Sequence, residues 1–167
     1  DVWLPSGPNI PDQTAHQVAS GLLYDWKKPG IGLRAEVYYK KMNDQIDYAN
    51  HAEMLLNPFI ESELRFGDAW SYGLELSAER KLGRLHGWTG YSFSRTWRRF
   101  DDLNDGRKYP DFFDRPHEYS VFLMYNLNKR VKTSLNWYFA SGAPVTTPSA
   151  FYYYQGHTVP LFSEKHN

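Results

Sequence analysis

The stretch Ile31-Gly32-Leu33-Arg34-Ala35-Glu36-Val37-Tyr38-Tyr39 places a large or apolar side chain at every second position. Successive strand residues point to opposite faces, so this spacing predicts a strand with Ile31, Leu33, Ala35, Val37 and Tyr39 on one side. Two further stretches repeat the pattern. Tyr119 to Leu127 aligns Tyr119, Val121, Leu123, Tyr125 and Leu127, and Val131 to Phe139 aligns Val131, Thr133, Leu135, Trp137 and Phe139. Nine residues at about 3.3 Å each, tilted by about 45°, climb roughly 21 Å, close to the apolar band of about 25 Å on a transmembrane β-barrel. Beyond Tyr39 the same frame runs on through Lys41, Asn43, Gln45 and Asp47, which predicts a strand that outgrows the band with its alternation unbroken. A soluble sheet that buries one face would alternate in the same way, so periodicity alone leaves both readings open.

Composition narrows the choice. The 167 residues hold no apolar run of about 18, which argues against a transmembrane helix but leaves barrel strands untouched. An aromatic share of 17%, with 6 Trp and 13 Tyr, suits interfacial aromatic girdles. Nineteen basic and 19 acidic residues cancel, so no strong overall field points to nucleic acid or to an anionic membrane surface. With no cysteine, disulfides and thiolate sites are excluded. The Pro-rich opening from Pro5 to Pro11 does not resemble a signal peptide, and Glu164-Lys165-His166-Asn167 ends the chain away from any strand pattern, so an internal piece of a longer protein is expected.

Turn signals predict strands at 14–27, 31–47, 68–82, 88–100, 117–127 and 130–141. The links at Lys28-Pro29-Gly30, Gly83 to Gly87 and Asn128-Lys129 are brief, whereas 48–67, 101–116 and everything after Ser141 are long and aromatic. Antiparallel neighbours would then gather the brief turns at one end and the long loops at the other, as in outer-membrane barrels. In that frame Tyr72, Leu74, Leu76, Ala78, Arg80 and Leu82 face outward with Thr89, Tyr91, Phe93 and Trp97, and Arg95 lies at the outer interface. Trp88 fits either face, and Phe122 and Met124 point inward. The expected fold class is all-β: about six antiparallel strands of a transmembrane barrel, residues 1–167 forming one partial barrel domain. Six strands cannot close in lipid, where every open edge leaves backbone groups unsatisfied, so further strands are expected.

Five motifs fall in order on these hairpins: W-L-P-S-G-P-N-I at 3–10, A-W-S-Y-G-L-E-L-S at 69–77, G-W-T-G-Y-S-F-S at 87–94, D-R-P-H-E-Y-S at 114–120 and W-Y-F-A-S-G-A-P-V-T at 137–146. Together they resemble TonB-dependent outer-membrane receptors of the Bacteroidetes type, over nearly the whole chain, matching the C-terminal part of the barrel short of its last strands. The resemblance implies a barrel of about 22 strands around an N-terminal plug. Such receptors bind a scarce nutrient outside (a siderophore, glycan, peptide or cobalamin-like ligand) and import it with energy from the TonB complex. Implied partners are outer-membrane lipid, the plug and remaining strands, TonB and a surface lipoprotein, with no nucleic acid. The plug, the TonB-docking segment, the signal peptide and the terminal aromatic strand have no counterpart in this sequence.

Position in the frame assigns roles. Arg34, Glu36, Glu75, Glu79, Lys132 and Asn136 would line the lumen, most of them as cross-strand pairs. Ligand contacts would come from the long-loop side: Arg98 and Arg99 where they leave the fourth strand, Tyr109, Phe112, Phe113 and Arg115 in the next loop, and Tyr152, Tyr153 and Tyr154 after the sixth. Aromatic faces beside Arg suit sugars, peptides and aromatic siderophores. No catalytic, metal or cofactor residue is expected. Asp114, Arg115 and His117 lack any hydrolase or metal spacing and are better explained by an Asp–Arg pair anchoring the loop. Asp101 to Gly106 fails the calcium-loop register, because Leu103 holds a ligand position and Phe112 stands where the bidentate Glu belongs. Two alternatives are a soluble all-β carbohydrate-binding module and an outer-membrane enzyme; for the latter no Ser–His spacing supplies a nucleophile.

Overall fold

The computed structural model describes residues 5–50, 52–53, 56–162 and 165. The start of the 3–10 motif and most of the Glu164–Asn167 end therefore lie outside the described residues. The main sheet follows the chain: β1 (Thr14–Trp26), β2 (Ile31–Tyr48), β3 (Leu64–Arg80) and β4 (Leu85–Arg99), then β6 (His117–Asn126) and β7 (Lys132–Ala140), with the two-residue β5 (Tyr109–Pro110) added to the far end of β4. Every pairing is antiparallel. The three brief turns, β1–β2, β3–β4 and β6–β7, share one end, and the long connections share the other. The region after Ser141, expected to be loop, contains a separate hairpin of β8 (Ala150–Tyr154) and β9 (His157–Leu161).

Register shows how the six long strands divide their side chains. Directly paired residues share a face, and one row runs Leu22, Ala35, Leu76, Tyr91, Tyr119, Phe139 from β1 to β7. The next runs Tyr24, Leu33, Ala78, Thr89, Val121, Trp137. All the outward positions predicted for 31–39, 72–80 and 119–125 fall on this one continuous apolar face. The reverse face is hydrophilic: Leu23, Arg34, Ser77, Gly90, Ser120 and Tyr138 form one row, and Gly21, Glu36, Glu75, Ser92, Glu118 and Ala140 the next.

The expectation that alternation along β2 continues unbroken is corrected. A β-bulge interrupts the β2–β3 register between Met42 and Gln45, with Asp44 in the left-handed region at φ 55°. One extra residue reverses the facing of everything beyond it. Gln45 and Asp47 pair with Gly67 and Arg65 and thereby join the hydrophilic side.

Among the described residues no second layer of comparable size covers the apolar face. Leu22 is 78% exposed, Val18 74% and Leu135 56%, and the buried hydrophobic cluster consists of Phe100, Leu103 and Tyr109, at the long-loop end. Leu103, which breaks the calcium-loop register, is thus a core residue.

Strand contact on the hydrophilic face explains two further residues. Trp88 lies on this face, in the row Glu79, Trp88, Phe122, Asn136, so the inward Phe122 has an aromatic neighbour. Where β4 meets β6, Gly87 sits at φ 153°, and a Cβ there would overlap the Phe122 carbonyl oxygen. Gly87→Ala is expected to cost about 1–3 kcal/mol through this backbone clash. Gly90→Ala, whose Cβ would meet Ser120 Oγ at 3.5 Å, should stay within about 0.5 kcal/mol. Chemical unfolding followed by circular dichroism, in the medium where the parent chain folds, checks the contrast.

Candidate functional site

The end of the sheet with the long connections holds the densest polar structure. Its centre is Asp47, carried to the hydrophilic side by the β2 bulge. Arg98 of β4, paired in register with Ala69, projects from the same side. Its Nη1 lies 3.3 Å from Asp47 Oδ2, and its Nε 2.8 Å from Asp111 Oδ2. The Tyr109 hydroxyl donates to Asp47 Oδ2 at 2.8 Å, and Lys165 Nζ donates to Asp47 Oδ1 at 2.7 Å and to the Tyr48 carbonyl. Asn104 fixes the same distant segment by exchanging two bonds with the Lys165 backbone, 2.9 and 2.8 Å long. Residues far apart in sequence thus converge on one carboxylate.

Burial opposes the charge on Asp47, but the bonds and charge of Lys165, with the Tyr109 and Tyr48 bonds, prevail and hold its carboxyl below the ordinary value of 3.8. Tyr109 moves the other way: burial, then the Asp47 carboxylate beside it, raises its hydroxyl far above the usual phenol range. Tyr109 stays a neutral donor.

A second anchor lies beside β4. Asp114 is 4% exposed; its Oδ2 sits 3.1 Å from Arg95 Nε, and its Oδ1 accepts from the Thr96 amide at 2.7 Å. The expectation that Asp114 pairs within its own cluster with Arg115 is corrected: its partner is Arg95 of β4, and Arg115 is exposed. His117 is engaged separately, its Nδ1 lying 2.9 Å from the Tyr91 hydroxyl.

The expected ligand contacts separate into different environments. Arg98 and Arg99 are both still within β4, on opposite faces; Arg99 Nε donates to the Gly106 carbonyl at 3.0 Å. Tyr109 is 3% exposed and belongs to the core with Phe100 and Leu103, so the expectation of a loop residue open to ligand is corrected. Phe112 and Phe113 meet edge to face at 5.1 Å and are exposed, as is Arg115. Tyr152, Tyr153 and Tyr154 lie exposed along β8.

All six residues expected on the lumen side share the hydrophilic face. Arg34 approaches Glu79 at 3.6 Å, and Lys81 reaches Glu79 at 2.9 Å. Glu36 and Glu75 stand directly opposite each other. Together with Tyr38, Lys40, Arg98 and Asp111 they border a cavity of about 470 Å³. Toward β6, a further cavity of about 380 Å³ is bordered by Arg34, Glu118 and Tyr138 with the same two glutamates. Glu36, Glu75 and Glu118 share this surface with Arg34, Lys40 and Arg98, which suits water or a polar ligand; Lys132 and Asn136 lie nearer the short turns. Sequence reasoning missed Asp47 as a hub and Lys165 as its partner. The pair Asn43-Asp44 carried a signal for the bulge, since both residue types tolerate the left-handed region.

Comparisons with known protein families, with curated proteins and with solved structures find no match.

Asp47→Asn should destabilise the long-loop end by about 2 kcal/mol at neutral pH, because it removes charge-assisted bonds to Lys165, Arg98 and Tyr109. A folded carboxyl held low stabilises fully above its ordinary value of 3.8, and that contribution is lost as pH falls from there through the folded value. Parent and variant should therefore converge in acid, which unfolding at a series of pH values would measure.

Proposed function

We propose that this chain is a section of the wall and external loops of a TonB-dependent outer-membrane receptor, which binds a scarce nutrient and imports it. The observation that carries the reading is a one-layer antiparallel sheet with a broad apolar band on one face and a hydrophilic surface on the other. Contiguous exposed apolar patches beyond a few hundred Å² are rare on soluble monomers, and each large side chain left in water forgoes about 1.5–3 kcal/mol of burial. Hydrocarbon against that face removes the penalty. The hydrophilic face then lines the lumen and meets the plug, the short turns are periplasmic, and the loops anchored on Asp47 and Asp114 are external. Among the described residues β1 and β7 have free outer edges, consistent with further barrel strands beside them. Energy would come from the TonB complex through the complete receptor, with a surface lipoprotein as a further partner. No enzyme activity is proposed.

The soluble binding-module alternative lacks support from the packing. A sandwich buries its apolar face under a second sheet, and the five-residue strands β8 and β9 are too small for that cover.

Purification with and without detergent, followed by circular dichroism and size analysis, tests the reading. Folding should require detergent or neighbouring strands; a cooperative monomer in plain buffer would overturn it. The two faces should also respond differently to charge. Leu135→Arg is expected to cost roughly 2–4 kcal/mol of assembly in lipid, while Asn136→Arg, one residue on and facing the other way, should be tolerated. Equal damage at both positions would remove the distinction between a lipid side and a water side.

A further inference from the structure

Just beyond the apolar rows, toward the long-loop end, the outward face changes character. Lys41 of β2 pairs with Trp70 of β3, and Trp70 pairs with Trp97 of β4, so the row reads Lys, Trp, Trp. Lys108 completes it: its Nζ lies 4.9 Å from the centre of the Trp97 ring. Arg95 also approaches that ring, its Cζ 4.6 Å from the centre, but the buried Asp114 carboxylate balances its charge. Arg99, one position past this row, faces Asp68 in register. Lys41 and Lys108 have no carboxylate in contact among the described residues. Among the described residues two uncompensated cations therefore flank two indoles that are directly paired on neighbouring strands, about one strand spacing or 5 Å apart.

Resting on the membrane reading above, we infer that Lys41, Trp70, Trp97 and Lys108 form a docking site for the phosphate of an anionic lipid headgroup. The site is continuous with the apolar face, so acyl chains lying against Val37, Leu74 and Phe93 bring the headgroup to this row. Indole rings favour the boundary between hydrocarbon and water, and long Lys side chains extend their ammonium groups toward phosphate from that depth. The uncompensated charge selects anionic over zwitterionic lipid.

The test uses the full chain, with vesicles of phosphatidylcholine alone or of an equimolar mixture with phosphatidylglycerol, and follows association by Trp fluorescence. The parent should prefer the anionic vesicles. Lys41→Gln and Lys108→Gln should each reduce that preference about fivefold, as expected for one lysine near an anionic surface. Lys41→Arg and Lys108→Arg should retain it. Lys40→Gln, one residue away but on the hydrophilic face opposite Ser71, should leave it unchanged. Equal binding of the parent to both vesicles, or an equal loss in Lys40→Gln, would overturn the site while leaving the membrane reading intact. Loss of the preference in millimolar inorganic phosphate at constant ionic strength would make it a free-phosphate site and overturn the lipid assignment. Binding to neither vesicle, with folding in buffer, would overturn the site and the membrane reading together.

Discussion

The constraint on which this structure depends is that a single sheet cannot bury its own apolar face. Helices and sheets ordinarily solve that problem by pairing layers around a core. Here the rows from Leu22 to Phe139 and from Tyr24 to Trp137 extend across six strands, and the buried cluster of Phe100, Leu103 and Tyr109 lies beyond the end of the face rather than on it. Backbone pairing holds the strands to one another, but the stabilisation from removing apolar area from water must come from whatever medium or partner contacts the face.

Among the described residues the buried cluster and the densest polar bonding lie at the long-loop end, and the β2 bulge is what makes this order coherent. Without the extra residue, Asp47 would point to the apolar side, away from Arg98 and Tyr109. With it, one carboxylate gathers Arg98 of β4, Tyr109 of β5 and the segment at Lys165. The like-charged neighbour Asp111 is held in the same network through Arg98, which bridges both acids. The arrangement is a charge-balanced clamp that gives long, mixed-charge loops a defined starting position.

The strands were largely legible because their alternation is strong and their turns brief: Ile31 to Tyr39 needs only period two to assign a face, and Lys28-Pro29-Gly30 marks where the chain must reverse. Pairing added what the pattern could not, namely that Trp88 falls on the hydrophilic face next to Phe122. The clamp was much less legible. Asp47 looked like one more residue in a continuing frame, since a one-residue insertion changes facing without changing composition. Tyr109 looked like a loop aromatic open to ligand, because burial by Phe100 and Leu103 depends on how the loop folds back. Lys165 could not be linked to Asp47 at all, as their contact is set by tertiary closure and no local spacing encodes it.

The hydrophilic face carries an independent argument about its surroundings. Glu36 and Glu75 stand opposite each other, with Glu118 further along the same row. Like charges directly opposed across strands destabilise a sheet. At about 4 Å the repulsion is about 1 kcal/mol in water but about 4 kcal/mol at an effective dielectric of 20. A dry core against this row would have to neutralise the glutamates, whereas water or a polar ligand tolerates them charged. The apolar face makes the reverse demand, losing free energy wherever water remains. Both demands act across the thickness of one sheet, and an environment that is apolar on one side and aqueous on the other satisfies them together.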